Sequence, residues 1–146
     1  MARALPFLNG SILFLMALLL PLNTLHAQSG ESGVKGTEKQ IKGAIEAGDA
    51  ARLSEHFTKK VDLTLPDTDD VFSKAQAEQI LKEFFQGHPP EKLILEHQGT
   101  SKLKDRYRIG KLSTSKGNYR LTYFMKKVKG GTKIKKLRIE RYEGDL

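Results

Sequence analysis

The amino-acid sequence of 146 residues contains no cysteine. This absence excludes a lipoprotein anchor, a cysteine nucleophile, a thiolate metal site and a small fold held together by disulfide bonds. Beyond its N-terminal region the sequence also lacks an apolar run long enough to cross a bilayer. The chain must therefore fold around one packed hydrophobic core, and its length suits a single domain.

Residues 1–27 follow the order of a secretory signal peptide. Arg3 supplies a positive charge, residues 11–22 form an apolar run, and Leu25-His26-Ala27 ends in the small residue that a signal peptidase requires. We therefore expect cleavage after Ala27 and a periplasmic or secreted protein without a transmembrane anchor. An uncleaved anchor is the alternative, which the early end of the apolar run disfavours. A bacterial origin fits better, because eukaryotic secreted domains of this size more often contain disulfides.

Acidic residues are outnumbered by basic ones, 17 against 25, and the formal net charge is +8. Residues 1–27 hold one of the basic residues and none of the acidic ones, so the exported chain would keep +7. A lysine cluster around Gly130-Gly131 could bind an anionic surface: lipid head groups, lipopolysaccharide or nucleic acid. Export makes nucleic acid an unexpected partner, and the residues alone favour the other interpretation, in which the lysines protect an edge strand from pairing. The cluster consists of Lys126, Lys127, Lys129, Lys133, Lys135 and Lys136.

Local patterns divide the exported chain into a flexible lead-in over residues 28–36 and a single α+β domain over residues 37–146. The lead-in is small and polar. Thr37 with Gln40 forms a capping-box pattern that predicts the start of a helix. Gly48-Asp49 then ends that helix and caps a second, short one.

A strand and a longer helix follow. Residues 61–65 alternate between apolar and polar side chains, which predicts a strand. Residues 66–70 have the composition of a turn. Ser73 with Gln76 forms a second capping box at the start of the best-defined helix, which Gly87 ends. The apolar stripe of this helix consists of Ala77, Ile80, Leu81, Phe84 and Phe85.

Everything after Pro90 predicts antiparallel sheet. Four segments rich in β-branched and aromatic residues are separated by turn sequences, and no helix stands between them. We therefore expect an α+β fold with helices on one face of a sheet. The alternation places His97 on the same face as Leu93 and Leu95. The predicted strands cover residues 92–98, 106–113, 119–128 and 133–142.

We expect no metal site and no cofactor. The histidines of the exported chain are His56, His88 and His97, and no two of them have a chelating helical spacing. The acidic stretch 67–70 lacks the glycine and the distal glutamate of a calcium loop and is interpreted as a turn. Gly-x-Ser-x-Gly and phosphate-binding glycine motifs are absent. His97 is the candidate general base, with a buried, hydrogen-bonded histidine as the structural alternative.

Aromatic residues on the predicted helix and strands could surround a small-molecule pocket, although such positions are more often plain core. The candidate ligand-binding residues are Phe84, His97, Tyr107, Tyr119 and Tyr123.

Longer strings resemble a known family. IKGAIEAGDAARLSEHF, SKAQAEQILKEFFQGHPP, HQGTSK, YRIGKLSTSKGNYRLTYF and IKKLRIE together cover most of residues 37–142. They resemble a domain-of-unknown-function family of small exported Bacteroidetes proteins with a nuclear transport factor 2-like fold, also called cystatin-like or SnoaL-like. The resemblance implies a curved antiparallel sheet of four to six strands wrapped on three helices from the N-terminal half, with a pocket at its open end.

The resemblance does not imply one activity, because that fold hosts isomerases, dehydratases and binding modules. We expect a non-enzymatic binding or interaction module for a small molecule or an envelope component, with a homodimer through the exposed sheet face as a further expectation. One alternative is an isomerase or hydratase with His97 as general base, as the resemblance to SnoaL-type enzymes implies. The other is a binder of anionic lipid through the lysine-rich hairpin 126–136.

Overall fold

The computed structural model describes residues 28–144, so the expected signal peptide lies outside the described residues. The order of the elements agrees with the α+β prediction. No helix in this part of the chain is long and apolar enough to cross a membrane. The elements are α1 (Gln28–Glu46), α2 (Ala50–Ser54), β1 (Phe57–Leu65), β2 (Thr68–Ser73), α3 (Lys74–Gly87), β3 (Pro90–Thr100), β4 (Arg106–Thr114), β5 (Gly117–Val128) and β6 (Gly131–Arg141).

The six strands form one curved, open sheet in the order β2-β1-β6-β5-β4-β3. Four of the five neighbouring pairs are antiparallel, as predicted, whereas β1 and β6 run parallel. The expectation of a wholly antiparallel sheet was therefore wrong at one pair. Parallel neighbours require a long connection, and here α3 and four strands separate β1 from β6 in the chain.

Helix α3 begins as its sequence predicts. The Ser73 side chain accepts a hydrogen bond from Gln76 N, and the Gln76 side chain accepts one from Ser73 N, which completes the capping box. Four residues of the predicted stripe are buried and Ile80 packs against them, so this helix covers the inner face of the sheet. We use "inner face" for the sheet surface that packs on the helices and "outer face" for the opposite one.

Helix α1 starts earlier than predicted. Residues 28–36, expected to form a flexible lead-in, are helical, and Thr37 lies inside the helix with its hydroxyl donating to Gly33 O at 3.0 Å. Helices propagate more easily than they nucleate, so the packed second half of α1 extends into this polar stretch. The residues that anchor α1 in the core are Ile41, Ala44 and Ile45.

A bulge in β3 reverses part of the predicted alternation. Leu95 is paired with Gly110, and His97 is paired with the next residue of β4, Ile109, so that Glu96 is extra. His97 therefore lies on the outer face and is exposed. Its expected position beside Leu95 in the interior was wrong, because a bulge depends on pairing with the neighbouring strand and leaves little mark in local sequence.

Candidate functional site

Two of the five predicted pocket residues meet in the core. The rings of Phe84 and Tyr119 lie 5.5 Å apart edge to face, and both residues are buried. His88, the C-cap of α3, stacks on Phe84 at 4.4 Å, and its Nδ1 is 3.0 Å from Phe84 O. This cluster fastens the end of α3 to β5.

The other three predicted residues lie elsewhere. Tyr107 is on the outer face, where its ring is 5.8 Å from that of Phe124, whereas Tyr123 is fully buried on the inner face. His97 is exposed on the outer face. The structure thus does not bring the five residues around one cavity, and a ligand role for any of them individually stays a prediction.

A different cavity lies at one end of the sheet. We call it the end cleft: a space of about 720 Å³ between the first half of α1 and the ends of β4, β5 and β6. Its volume is within the range of roughly 300–1,000 Å³ typical of small-molecule sites. Its lining residues are Gly30, Glu31, Gly33, Val34, Thr37, Lys104, Arg106, Met125, Lys127, Gly130, Gly131 and Thr132.

The end cleft combines positive charge with an apolar floor. Lys104, Arg106 and Lys127 contribute three cations, against the single carboxylate of Glu31. Arg106 and the buried Met125 are directly paired across β4 and β5, so the cation and the floor are held by neighbouring strands. Such a lining suits an organic anion, whose charge would meet the cations and whose apolar part would rest on Met125.

A buried ion pair adjoins the end cleft. Arg108 donates to the Glu38 carboxylate and to Tyr107 O, the latter at 2.9 Å, and the two charged side chains are only 9% and 14% exposed. A side recess of about 380 Å³ reaches both residues and shares Glu31 and Arg106 with the end cleft. The ion pair therefore lies next to the end cleft without lining it.

Tyr123 lies across the β4–β5 pairing from Arg108. Its hydroxyl is buried and has no hydrogen-bond partner among the described residues. Burial, with a smaller effect of the Glu38 charge, raises the pKa of the Tyr123 hydroxyl, while Arg108 opposes this rise. The phenol therefore stays protonated and neutral at physiological pH.

Sequence reasoning missed Glu38 and Arg108. One local sign of Arg108 existed: alternation along β4 places it in phase with Gly110 and the buried Leu112, and a charged residue in an apolar phase indicates a buried partner. Nothing local indicated a buried partner for Glu38, because a glutamate in the first turn of a helix expected to begin at Thr37 is common at an exposed helix N-terminus. Within residues 28–144, no group of three His, Asp or Glu side chains could hold a metal ion.

The predicted lysine cluster divides into two sets. Lys135 is paired with Asp105 at 2.5 Å, and Lys136 with Asp62 at 2.8 Å. The other members form no ion pair within the described chain. They are Lys126, Lys127, Lys129 and Lys133.

A curved six-stranded sheet wrapped on three helices, with a cleft at one end, defines an α+β protein of the nuclear transport factor 2-like, or cystatin-like, fold class. The chain belongs to the domain-of-unknown-function family DUF4783, whose profile matches residues 38–140. The family resemblance drawn from the sequence strings is thereby confirmed.

Solved structures agree with this assignment. A DUF4783 protein from Bacteroides uniformis has a TM-score of 0.67 and 28% identity over 73% of this chain and 97% of its own. One from Bacteroides ovatus has a TM-score of 0.66 and 28% identity over 72% and 94%. A cystatin-like domain of unknown function from Nostoc punctiforme, 14% identical over 80% of each chain with a TM-score of 0.61, shares the fold alone. No curated protein is significantly similar in sequence to this chain.

Proposed function

We propose that this protein is an exported, non-enzymatic binding module whose ligand, a small organic anion, occupies the end cleft. The observation that carries the proposal is the coincidence of a cavity of about 720 Å³, three cationic side chains and an apolar floor in one place.

The architecture of the end cleft supports selective binding. Arg106, Met125 and Lys127 lie on paired strands, which hold their positions before a ligand arrives. The first half of α1 contributes Gly30 and Gly33, whose missing side chains leave room between helix and sheet. A ligand there would be enclosed by α1 on one side and would contact Lys104, Arg106 and Lys127 on the other.

The state of the polar groups favours binding over catalysis. Glu38 is engaged by Arg108, and the raised pKa of Tyr123 keeps its phenol from acting as a base near neutral pH. His97, the candidate base from the sequence, lies on the outer face. None of these three groups lines the end cleft, so a ligand there would be held by the charges of the three cations that line it rather than exchange protons with a free base.

Export is the second part of the proposal, and the order of residues in the signal-like N-terminus supports it. N-terminal sequencing of the protein from the culture medium or periplasm of its own cells should begin at Gln28. A mature protein that still begins at Met1 would refute cleavage.

A pair of threonine variants tests the end cleft. Thr132 lines the cleft, whereas Thr122 lies on the outer face of the same hairpin. Thr132→Trp should fill the cavity and weaken binding of the probe 8-anilinonaphthalene-1-sulfonate, an aromatic anion, by at least about tenfold in titration calorimetry. Thr122→Trp, the matched control, should leave the affinity unchanged. Equal affinities in the wild type and Thr132→Trp would overturn the proposal.

A further inference from the structure

A second recess lies on the other side of the β5–β6 hairpin. We call it the lysine recess: a space of about 660 Å³ between β1 and the hairpin. It shares no lining residue with the end cleft. Its lining residues are Phe57, Thr58, Lys59, Lys60, Lys126, Val128, Lys133 and Lys135.

Most of its positive charge is not neutralised. Lys59, Lys60 and Lys126 are exposed and form no ion pair within residues 28–144. Lys133 donates to the backbone oxygen of Glu55 at 2.6 Å, and only Lys135 is paired with a carboxylate. The recess therefore presents four lysines whose charges are free to attract an external anion.

The pairing of two of these lysines is itself unfavourable. Lys126 and Lys133 are directly opposite each other on β5 and β6. Like charges at opposed positions of an antiparallel pair repel each other. A bound anion would relieve that repulsion, so the arrangement favours a negatively charged partner over an empty surface.

The lysines surround an apolar floor. The accessible apolar surface of the recess comes from the partly buried Val128 and the hydrocarbon stems of the lysines, which lie over the buried Phe57. Of the lining residues only Phe57 is aromatic, and it is too buried to stack on a nucleic-acid base. Separated cations around an apolar floor match a lipid surface, which offers phosphates beside hydrocarbon.

We propose that the lysine recess docks this protein on an anionic lipid surface, with head-group phosphates between the lysines of β1 and those of the hairpin. The sequence alone predicted a lysine cluster on the hairpin. The structure changes the membership of this cluster. Lys59 and Lys60 of β1 line the recess, whereas Lys136 does not line it and is paired with Asp62 instead. The end cleft stays accessible to its own ligand, because the two sites use opposite faces of the hairpin.

Sedimentation with vesicles tests this docking. The chain that begins at Gln28 is used, because it contains every helix and strand that the structure describes. The chain should bind vesicles that contain phosphatidylglycerol, should not bind pure phosphatidylcholine vesicles, and should dissociate as salt rises. Equal binding to both vesicles would overturn the proposal.

A matched pair of double variants locates the contact. Lys60→Ala/Lys126→Ala removes two recess lysines and should lower partition onto the anionic vesicles by roughly tenfold or more. Lys82→Ala/Lys116→Ala removes the same charge from exposed lysines outside the recess and should have a much smaller effect. Equal losses in both variants would show attraction by net charge alone and would contradict the proposal.

Two further measurements separate this proposal from others. Both double variants should keep the wild-type affinity for 8-anilinonaphthalene-1-sulfonate at the site that Thr132→Trp blocks, which reports an intact end cleft. Loss of that affinity in Lys60→Ala/Lys126→Ala would contradict the separation of the two sites. Tighter binding to a single-stranded oligonucleotide than to the anionic vesicles, abolished by the same variant, would replace the lipid with nucleic acid.

Discussion

Glu46 connects the last turn of α1 to strand β3. Its Oε1 accepts hydrogen bonds from Lys42 Nζ at 2.6 Å and from Leu93 N at 3.0 Å. These bonds lower the pKa of the Glu46 carboxyl below its usual value of 4.5, the Lys42 contact most strongly and the Leu93 contact next. The charged carboxylate is thus one of the groups that hold helix and sheet together.

The pH dependence of stability follows from that lowered pKa. The unfolded chain takes up the proton more readily than the folded one, so the contribution of Glu46 is fully present above about pH 5 and is lost as pH falls through the folded pKa. Glu46→Gln keeps an acceptor for Leu93 N but removes the titration. Its melting temperature should therefore fall less steeply than that of the wild type between about pH 5 and about pH 3.

Glu83→Gln, on the exposed side of α3, is the matched control for this measurement and should follow the wild-type curve. A Glu46→Gln curve that runs parallel to the wild type throughout the acidic range would show that Glu46 does not carry this dependence.

At the scale of single elements, the N-terminal cap of α3 can be tested with a matched pair of serine variants. Ser73→Ala removes the acceptor of Gln76 N and should lower the free energy of unfolding by about 1 kcal/mol. Ser115→Ala removes an exposed hydroxyl to which the structure gives no hydrogen bond, so it should change stability by less than about 0.5 kcal/mol. Urea unfolding of both variants measures the difference. Equal destabilisation of the two would contradict the capping role.

The elements that sequence predicts well are those with a local cause. The Ser73–Gln76 box, the alternation of β1 and the turn glycines all act within a few residues, and each of these elements is present in the structure. The parallel β1–β6 pair depends on contacts between segments far apart in the chain, and the bulge at Glu96 depends on the register of β3 against β4. Neither feature leaves a pattern within the residues of a single strand, so neither could be predicted locally.

The same reasoning explains the candidate sites. Aromatic residues at strand positions predicted a pocket, but a packed core and a ligand cavity require the same residue types. The end cleft instead arises where the first half of α1 passes over Met125, a juxtaposition of segments far apart in sequence. The lysine cluster was visible as a run of charge, whereas Lys59 and Lys60 joined it only through the β1–β6 pairing.

At the scale of the whole molecule, the β5–β6 hairpin contributes residues to both the end cleft and the lysine recess. Successive residues of a strand point to opposite faces, so Met125 and Lys127 line the end cleft while Lys126 and Val128 line the lysine recess. A protein docked through the recess would hold its end cleft close to the lipid surface without blocking it. This geometry would suit a module that takes up amphipathic anions at an envelope surface.

The division of α1 into two halves gives the last prediction. Its buried residues Ile41, Ala44 and Ile45 all lie in the second half, whereas residues 28–36 are at most partly buried where the structure describes their side chains and line the end cleft. A chain that begins at Thr37 should therefore fold, with a melting temperature lowered by no more than about 5 °C, because little apolar area is lost.

The same truncated chain should bind 8-anilinonaphthalene-1-sulfonate at least about tenfold more weakly, because it loses Val34 and the backbone around Gly30 and Gly33, which form one wall of the end cleft; this loss outweighs the relief of repulsion from the Glu31 carboxylate. Differential scanning calorimetry and titration calorimetry measure the two quantities on one sample. A truncated chain that no longer folds would assign the first half of α1 to the core. A folded one with undiminished affinity would place the probe elsewhere, since the helix that encloses the cleft is the part removed.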